Sequence, residues 1–386
     1  MLARVSFQNF KALKAVDVDL TPFTVIVGKN GSGKTSVLQG ILDVSQVPVR
    51  RTDEQQPLQR LGLIFGGDHD PSRLVTRPGN GPMKIALTDT EGGTLSVEAK
   101  LAPAEDDRLD RVQFVVTAPG SNPPSIALPG RGTGQAAQEI TQFLGSPTVR
   151  RFGSAVFLRL DASVMMKESA TASEAPQLDR DGQGLASVLS YMAGAEPEAL
   201  EAIRSDLAAV VPQVRRIRTF PARLTRRQTG FGGELVMGEP VMGHRFALDM
   251  GEGRLVPADM LSEGTVLALG LLTALRHPQC PRLILMDDID GALHSTAQAE
   301  LVRCLRKIQR DRPDVQIVCT SHSADLLDRV ELEEVRVMVL DAEGYAKCGR
   351  LSDHPQSAEW RKMLRTGEFW ASVGEDWLLE APPHAA

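Results

Sequence analysis

The chain is expected to fold as an α/β protein built on a mostly parallel sheet, and three stretches carry that expectation. An apolar run at 23–27 (FTVIV) leads into a glycine-rich loop and then into helical periodicity at Val37, Leu38, Ile41 and Leu42. Downstream, strand-like and helix-like segments alternate at 283–286, 296–309, 315–319, 324–329 and 334–340. Strands that alternate with helices pair in parallel, because each helix returns the chain across the sheet to start the next strand in the same direction. Between about 60 and 135, Gly and Pro are frequent. Short alternating runs recur there at Ile85 and Leu87, at Leu95, Val97 and Ala99, and at Val112, Phe114 and Val116, the pattern of an antiparallel β lobe.

The other elements follow by the same reading. Alternation at Ala3, Val5 and Phe7 and again at Val16, Val18 and Leu20 marks two strands with a turn near 9–11. A polar, small-residue stretch at 163–183 reads as a loop. Helical spacing returns at Leu185, Val188 and Leu189, then at Leu200, Ile203, Leu207 and Val210, where Pro212 closes the helix. Short strand signals with glycine turns occupy 230–257, and a strongly apolar helix spans 263–275.

With 386 residues, 42% hydrophobic, 24% charged and a net charge of -6, the composition is that of a globular protein with ample core, and it excludes a disordered chain or one uniformly coated in positive charge. No stretch approaches the roughly 18 apolar residues of a membrane span, and the first residues lack the apolar core of a signal peptide. A cytoplasmic protein without membrane contact is expected. Cys280, Cys304, Cys319 and Cys348 form no CxxC pair and no zinc-like spacing with His, so they are expected to be reduced structural thiols.

The chemistry is concentrated in three motifs. Gly28-Lys29-Asn30-Gly31-Ser32-Gly33-Lys34-Thr35 fits G-x-x-x-x-G-K-[ST] between a strand-like and a helix-like run. Such glycines let backbone N–H groups of Asn30, Gly31, Ser32 and Gly33 turn toward phosphate, with Ser36 just inside the helix whose positive end faces the anion. Lys34 would reach the β- and γ-phosphates and the Thr35 hydroxyl would bind Mg²⁺. Leu283 to Met286 followed by Asp287 and Asp288 has the form of a Walker B, in which the first acid holds Mg²⁺ and the second orients or deprotonates the attacking water. This strand is expected in the same sheet as the P-loop strand, with one strand between them. In Leu261-Ser262-Glu263-Gly264-Thr265, Ser262 is placed to N-cap the apolar helix and Gly264 leaves room at its end for an anion.

Together GKNGSGKT, LSEGT, LMDDID and Thr320-Ser321-His322-Ser323 resemble the ABC-type ATPase heads of the RecF/SMC-like group, counted among AAA family ATPases. FQNFKAL before the P-loop and GALH after the Walker B extend the similarity over most of the chain. The resemblance implies a P-loop NTPase head with an antiparallel β lobe and a helical insertion. It also implies ATP and Mg²⁺ as ligands, and a head-to-tail homodimer with ATP between the P-loop of one copy and Ser262 and Gly264 of the other. His322 would be the switch histidine at the γ-phosphate. P-loop and Walker B must then share one sheet, which divides the chain into 1–155 and 231–345 as two parts of the head, 156–230 as a helical insertion, and 346–386 as a tail holding all three tryptophans.

Where most of these ATPases carry Glu, this chain has Asp288, whose carboxylate is set back by about 1.5 Å; a misplacement of about 1 Å can cost on the order of 10²-fold in rate, so slow turnover is expected. The Q-loop glutamine has Gln46 as its candidate, by position alone. The expected function is an ATPase that gates a separate effector protein, in the manner of compact heads in bacterial anti-phage loci. Two alternatives stand beside it: a RecF-like DNA-repair ATPase, with duplex DNA held by the acid-free run of Arg215, Arg216, Arg218, Arg223, Arg226 and Arg227, and a nucleotide-gated scaffold with little hydrolysis. The tail, with Trp360, Trp370 and Trp377, reads either as a docked segment or as a partner-binding one.

Overall fold

The computed structural model describes residues 1–47, 81–101, 112–121, 123–128, 139, 142–153, 155–171, 173–229, 235–291 and 293–380. In chain order the strands are β1 (Leu2–Phe10), β2 (Leu13–Asp19), β3 (Phe23–Gly28), β4 (Met83–Asp89), β5 (Thr94–Leu101), β6 (Val112–Thr117), β7 (Ser125–Leu128) and β8 (Ala155–Leu158). They continue as β9 (Arg216–Thr229), β10 (Leu235–Asp249), β11 (Leu255–Pro257), β12 (Leu283–Met286), β13 (Gln316–Thr320), β14 (Val335–Leu340) and β15 (Ala346–Arg350). The helices include α1 (Lys34–Gln46), α2 (Leu185–Ala195), α3 (Pro197–Val210), α4 (Glu263–Arg276), α5 (Ser295–Asp311), α6 (Ala324–Leu327) and α7 (Thr366–Val373). The chain divides into two compact units, one of Met1–Phe157, Pro281–Ile289 and Asp314–Ala386, the other of Leu158–Cys280 and Asp290–Pro313.

The first unit holds two six-stranded sheets. One is the antiparallel β2-β1-β4-β5-β6-β7, which realises the expected β lobe and joins it to the N-terminal strands. Positions 60–80 of the expected lobe lie outside the described residues. The other sheet has the order β15-β14-β3-β13-β12-β8, with β14, β3, β13 and β12 parallel and β15 antiparallel. Strand β13 does stand between the P-loop strand β3 and the Walker B strand β12. Every residue of β3, β12 and β13 is buried, the signature of central parallel strands covered on both faces. Helix α1 touches strands of both sheets, and its Val37, Leu38, Ile41 and Val44 lie fully buried in their common core.

The second unit contains α2 to α5 and the sheet β11-β10-β9. Here the sequence reading missed an element. The Arg-rich stretch 216–229 is a long strand, paired along its length with β10, so residue 230 falls between two strands of one hairpin. Pro221 and the alternation of Arg with apolar residues hide it; an edge strand tolerates such a proline because its N–H is not needed on the open side. Pro240 sits where the β10 register shifts, the other place a sheet accepts proline. Helices α3, α4 and α5 are pinned by one acid. Asp206, 3% exposed, accepts from Arg276 Nε (2.9 Å) and Nη2 (2.6 Å) and from Lys307 Nζ (2.7 Å).

The tail docks within the first unit. Asp328 Oδ1 accepts from the Gly367 and Glu368 N–H groups (2.9 and 3.3 Å), capping α7 from outside, while Thr366 Oγ1 donates to Val330 O (2.7 Å). Phe369 is 1% exposed and meets the His354 ring edge-on at 5.3 Å, and His354 meets Trp377 at the same distance. Helix α7 approaches α6 so closely that a Cβ on Gly367 would stand 1.9 Å from Ala324 O. Gly367→Ala is therefore expected to loosen the tail at a cost of about 1–3 kcal/mol. Because all three tryptophans lie in this segment, the loss reads directly as a red-shifted, more quencher-accessible tryptophan emission. Wild-type emission and melting temperature in the variant would contradict the packing described.

Candidate nucleotide site

Three parallel strands end side by side, and each delivers part of the site. The register pairs Ile26 with Thr320 and Cys319 with Met286, so the loop after β3, the residues after β13 and the residues after β12 emerge at one sheet edge. The carboxyl edge of a parallel sheet is where such folds bind ligands.

The loop after β3 begins at a contact only glycine can make. A Cβ on Gly28, which has φ +144, would lie 2.1 Å from Met338 O of the neighbouring β14. Gly31 and Gly33 take φ of 80 and 99 and turn the backbone into a cup. Helix α1 then starts with no side-chain cap and no acid in its first turn, so the N–H groups of Lys34, Thr35 and Ser36 keep their capacity to bind an anion. Ser32 Oγ is buried with no hydrogen-bond partner among the described residues, an orphan aimed at nothing the protein supplies. Lys34, 6% exposed, bends over the cup and donates to Gly28 O (2.8 Å) and Lys29 O (3.0 Å). An unmet hydroxyl, uncapped N–H groups and an ammonium held over them fit a phosphate group.

The acids stand opposite. Thr35 Oγ1 lies 3.1 Å from both carboxylate oxygens of Asp287, although 252 positions separate the two residues. A hydroxyl and a carboxylate facing each other are hard oxygen donors, which suits Mg²⁺ completed by phosphate and water. Asp288 follows at φ +53, a left-handed conformation unusual for a residue with a side chain. Its carboxylate is about half exposed and lies 3.8 Å from His322 Nε2. His322 does not cap the next helix: Ser323 does, accepting from Leu326 N (3.2 Å). The imidazole thus remains at the site's rim. Lys29 of the loop reaches toward the tail, 3.6 Å from Asp376 and 3.9 Å from Glu375.

Not every expected residue joins this group. Gln46 is at the far end of α1, about 18 Å along the axis from Lys34, and donates to Ala155 O (3.3 Å). Ser262 and Gly264 belong to the second compact unit. Ser262 caps α4, accepting from Thr265 N (3.3 Å), and is solvent-exposed. Thr320, quoted in the motif with His322 but given no role by the sequence, lies at the centre of the acids: Oγ1 donates to Asp287 Oδ1 and accepts from Asp288 N, both at 2.8 Å. The four cysteines are free, and burial pushes the Cys304 thiol up to about 11, far from a reactive thiolate.

Known proteins match the chain in the same places. Residues 1–54 match the model of the AAA ATPase domain, and residues 145–328 match that of the AAA domain described as a putative AbiEii toxin of a Type IV TA system. Over 113 residues the chain is 29% identical to the DNA replication and repair protein RecF of Salmonella typhi, and equally to that of Salmonella arizonae. The match covers 27% of this chain and 32% of those relatives, so it spans about a third of their length. In fold it is similar to an SMC head bound to the C-winged helix domain of ScpA, with a TM-score of 0.53 and 14% identity over 92% of this chain and 98% of that one. A second SMC head, with an extended coiled coil and the C-terminal domain of ScpA from Pyrococcus furiosus, gives a TM-score of 0.51 and 12% identity over 94% and 99%. In sequence and in fold the chain is thus similar to the RecF/SMC-like group of ABC-type ATPases.

The head's phosphate cup predicts its own weak point. Lys34→Ala removes the buried ammonium while leaving the loop's backbone intact, and is expected to weaken ATP binding by about 2–5 kcal/mol, the range for truncating a buried charged partner. Calorimetric titration with ATP in the presence of Mg²⁺ checks this. Undiminished affinity would contradict the role of Lys34.

Proposed function

We propose that the protein binds ATP with Mg²⁺, hydrolyses it slowly, and uses head-to-tail dimerisation around the nucleotide to gate a separate effector protein in anti-phage defence. The observation that carries this reading is the meeting of Lys34, Thr35, Asp287, Asp288 and His322 at one sheet edge, while at the capped start of α4 Ser262 is exposed and Gly264 half-buried, a surface a second copy could reach. Lys34 would exchange its two carbonyl partners for phosphate oxygens, and Thr35 and Asp287 would hold the ion. Mg²⁺ supplies charge neutralisation on the phosphates. Asp288 would orient the attacking water and take its proton, with His322 beside it at the γ-phosphate. The description of the matched AAA domain as a putative toxin of a toxin–antitoxin system supports the defence and effector parts. The described residues include no helix long and apolar enough to cross a membrane.

Asp288→Asn keeps the shape of the site and removes the base, so it is expected to hold ATP without turning it over. Sedimentation should then show a dimer that depends on ATP and Mg²⁺ and is lost when Ser262 is replaced by Arg. A variant that hydrolyses at the wild-type rate, or stays monomeric with ATP, would refute the reading.

One observation favours a second function, that of a RecF-like DNA-binding ATPase. Arg215, Arg216, Arg218 and Arg223 are exposed and form no ion pair among the described residues, so β9, with Arg216 and Arg218 on one face and Arg223 on the other, carries uncompensated positive charge. The side chains of Arg226 and Arg227 lie outside the described ones. An uncompensated basic strand binds phosphate backbones without sequence preference and in a salt-dependent way. If this reading is right, duplex DNA accelerates phosphate release and replacing these four arginines with Gln abolishes the effect. Equal rates with and without DNA at low salt would leave only the effector reading.

A further inference from the structure

Thr320 ends β13 and is fully buried. Three consecutive positions after β12 converge on it. Its Oγ1 lies 2.8 Å from Asp287 Oδ1 and 2.8 Å from Asp288 N, and its carbonyl accepts from Ile289 N at 3.1 Å. A hydroxyl carries a single proton, and with Oγ1 accepting from the Asp288 N–H, that proton is committed to the nearer carboxylate oxygen of Asp287. The contact to Asp288 Oδ1, at 3.4 Å, is too long to compete. Two consequences follow from these atoms alone. One oxygen of Asp287 is fixed in place from inside the protein, which sets the carboxylate plane facing Thr35. The left-handed Asp288, φ +53, has its N–H anchored to Oγ1 and the next N–H to the Thr320 carbonyl, so the turn that aims its carboxylate toward His322 is held at both peptide groups.

We propose that Thr320 is a positioning residue of the ATPase site: through one hydroxyl it orients the metal-holding Asp287 and secures the turn that presents Asp288. This rests on the ATPase reading above and adds to it a group that touches neither nucleotide nor water. The residue type is suited to the task. A β-branched side chain in a strand has few χ1 choices, so the hydroxyl is presented in one direction, and burial keeps solvent from replacing it. Partners that orient a metal-holding ligand commonly matter by 10- to 100-fold when lost.

Thr320→Val preserves the branched shape and deletes the hydroxyl; Thr320→Ser restores the hydroxyl without the methyl. In the full-length protein, ATP binding is measured by calorimetry in EDTA and across a Mg²⁺ titration, alongside kcat and KM. The expected result for Thr320→Val is EDTA binding close to wild type, a Mg²⁺ requirement raised by roughly 10- to 100-fold, and a comparable fall in kcat with little change in KM. Thr320→Ser should recover most of both losses. A Thr320→Val protein with wild-type Mg²⁺ dependence and kcat overturns the proposal, as does a Ser variant as impaired as Val, since that would make the residue a packing element only. Should Thr320→Val not fold, Thr320→Ala, which introduces no new bulk, carries the same comparison with Ser. A wild-type protein that neither binds nor hydrolyses ATP would instead defeat the ATPase reading itself, an outcome separable from the others because it needs no variant.

Discussion

The parallel pairing of β3, β13 and β12 is the constraint on which the site depends. Ile26 pairs with Thr320 and Cys319 with Met286, and that register alone brings Thr35 within 3.1 Å of an acid 252 positions away. A slip of one residue would turn every side chain of β13 to the opposite face and remove Thr320 from between the acids. The register is strongly set because all three strands are buried on both faces, where a shifted side chain has no solvent to escape into. The glycine at the end of β3 belongs to the same constraint: the near contact of Gly28 with Met338 O is what lets β14 pair alongside while the loop folds over the edge.

Polar groups are treated differently at the scaffold and at the site. Arg336, only 2% exposed within β14, has its guanidinium closed by Asp19 O (2.6 Å), Glu333 O (2.7 Å) and Val335 O (3.1 Å), and Asp206 is satisfied by Arg276 and Lys307. A buried charge left unpaired is costly, so these networks are complete. The phosphate cup breaks that rule. Ser32 Oγ is unmet, α1 has no cap, and the lysine donates to two carbonyls that a phosphate would outcompete. An unmet hydroxyl, an uncapped helix start and a buried lysine brought together in one loop are the physical mark of a ligand site.

What could be seen in the sequence followed how local its cause was. The P-loop, β12 with its acids, and the capped start of α4 are each written in a few adjacent residues, and their strands and helices have clean periods, so they were legible along with the strand between them. Strand β9 was not, because Pro221 and five arginines make RIRTFPARLTRRQT look like a loop; its strand character comes from pairing with β10, a property of two segments. The role of Thr320 was hidden for a related reason. A threonine ending an apolar strand is an ordinary β-former, and only the tertiary register reveals two acids beside it. Gln46 failed in the opposite sense: position along the chain suggested proximity that the length of α1 denies.

The tail shows how packing and charge divide their work around this edge. Burial of Phe369 contributes about 1.5–3 kcal/mol, and Asp328 adds an external cap to α7. The acids near Lys29 contribute far less, since Lys29 is mostly exposed and exposed pairs are worth about 0–1 kcal/mol. Position is therefore set by the apolar anchor and the close approach of Gly367 to α6, the helix that begins directly after His322 and Ser323. Glu375 and Asp376 are carried to the P-loop by that anchor rather than by attraction to Lys29. A segment with this arrangement touches the loop after β3 at one end and the helix after β13 at the other, so two of the three strand ends that build the site share one packed neighbour.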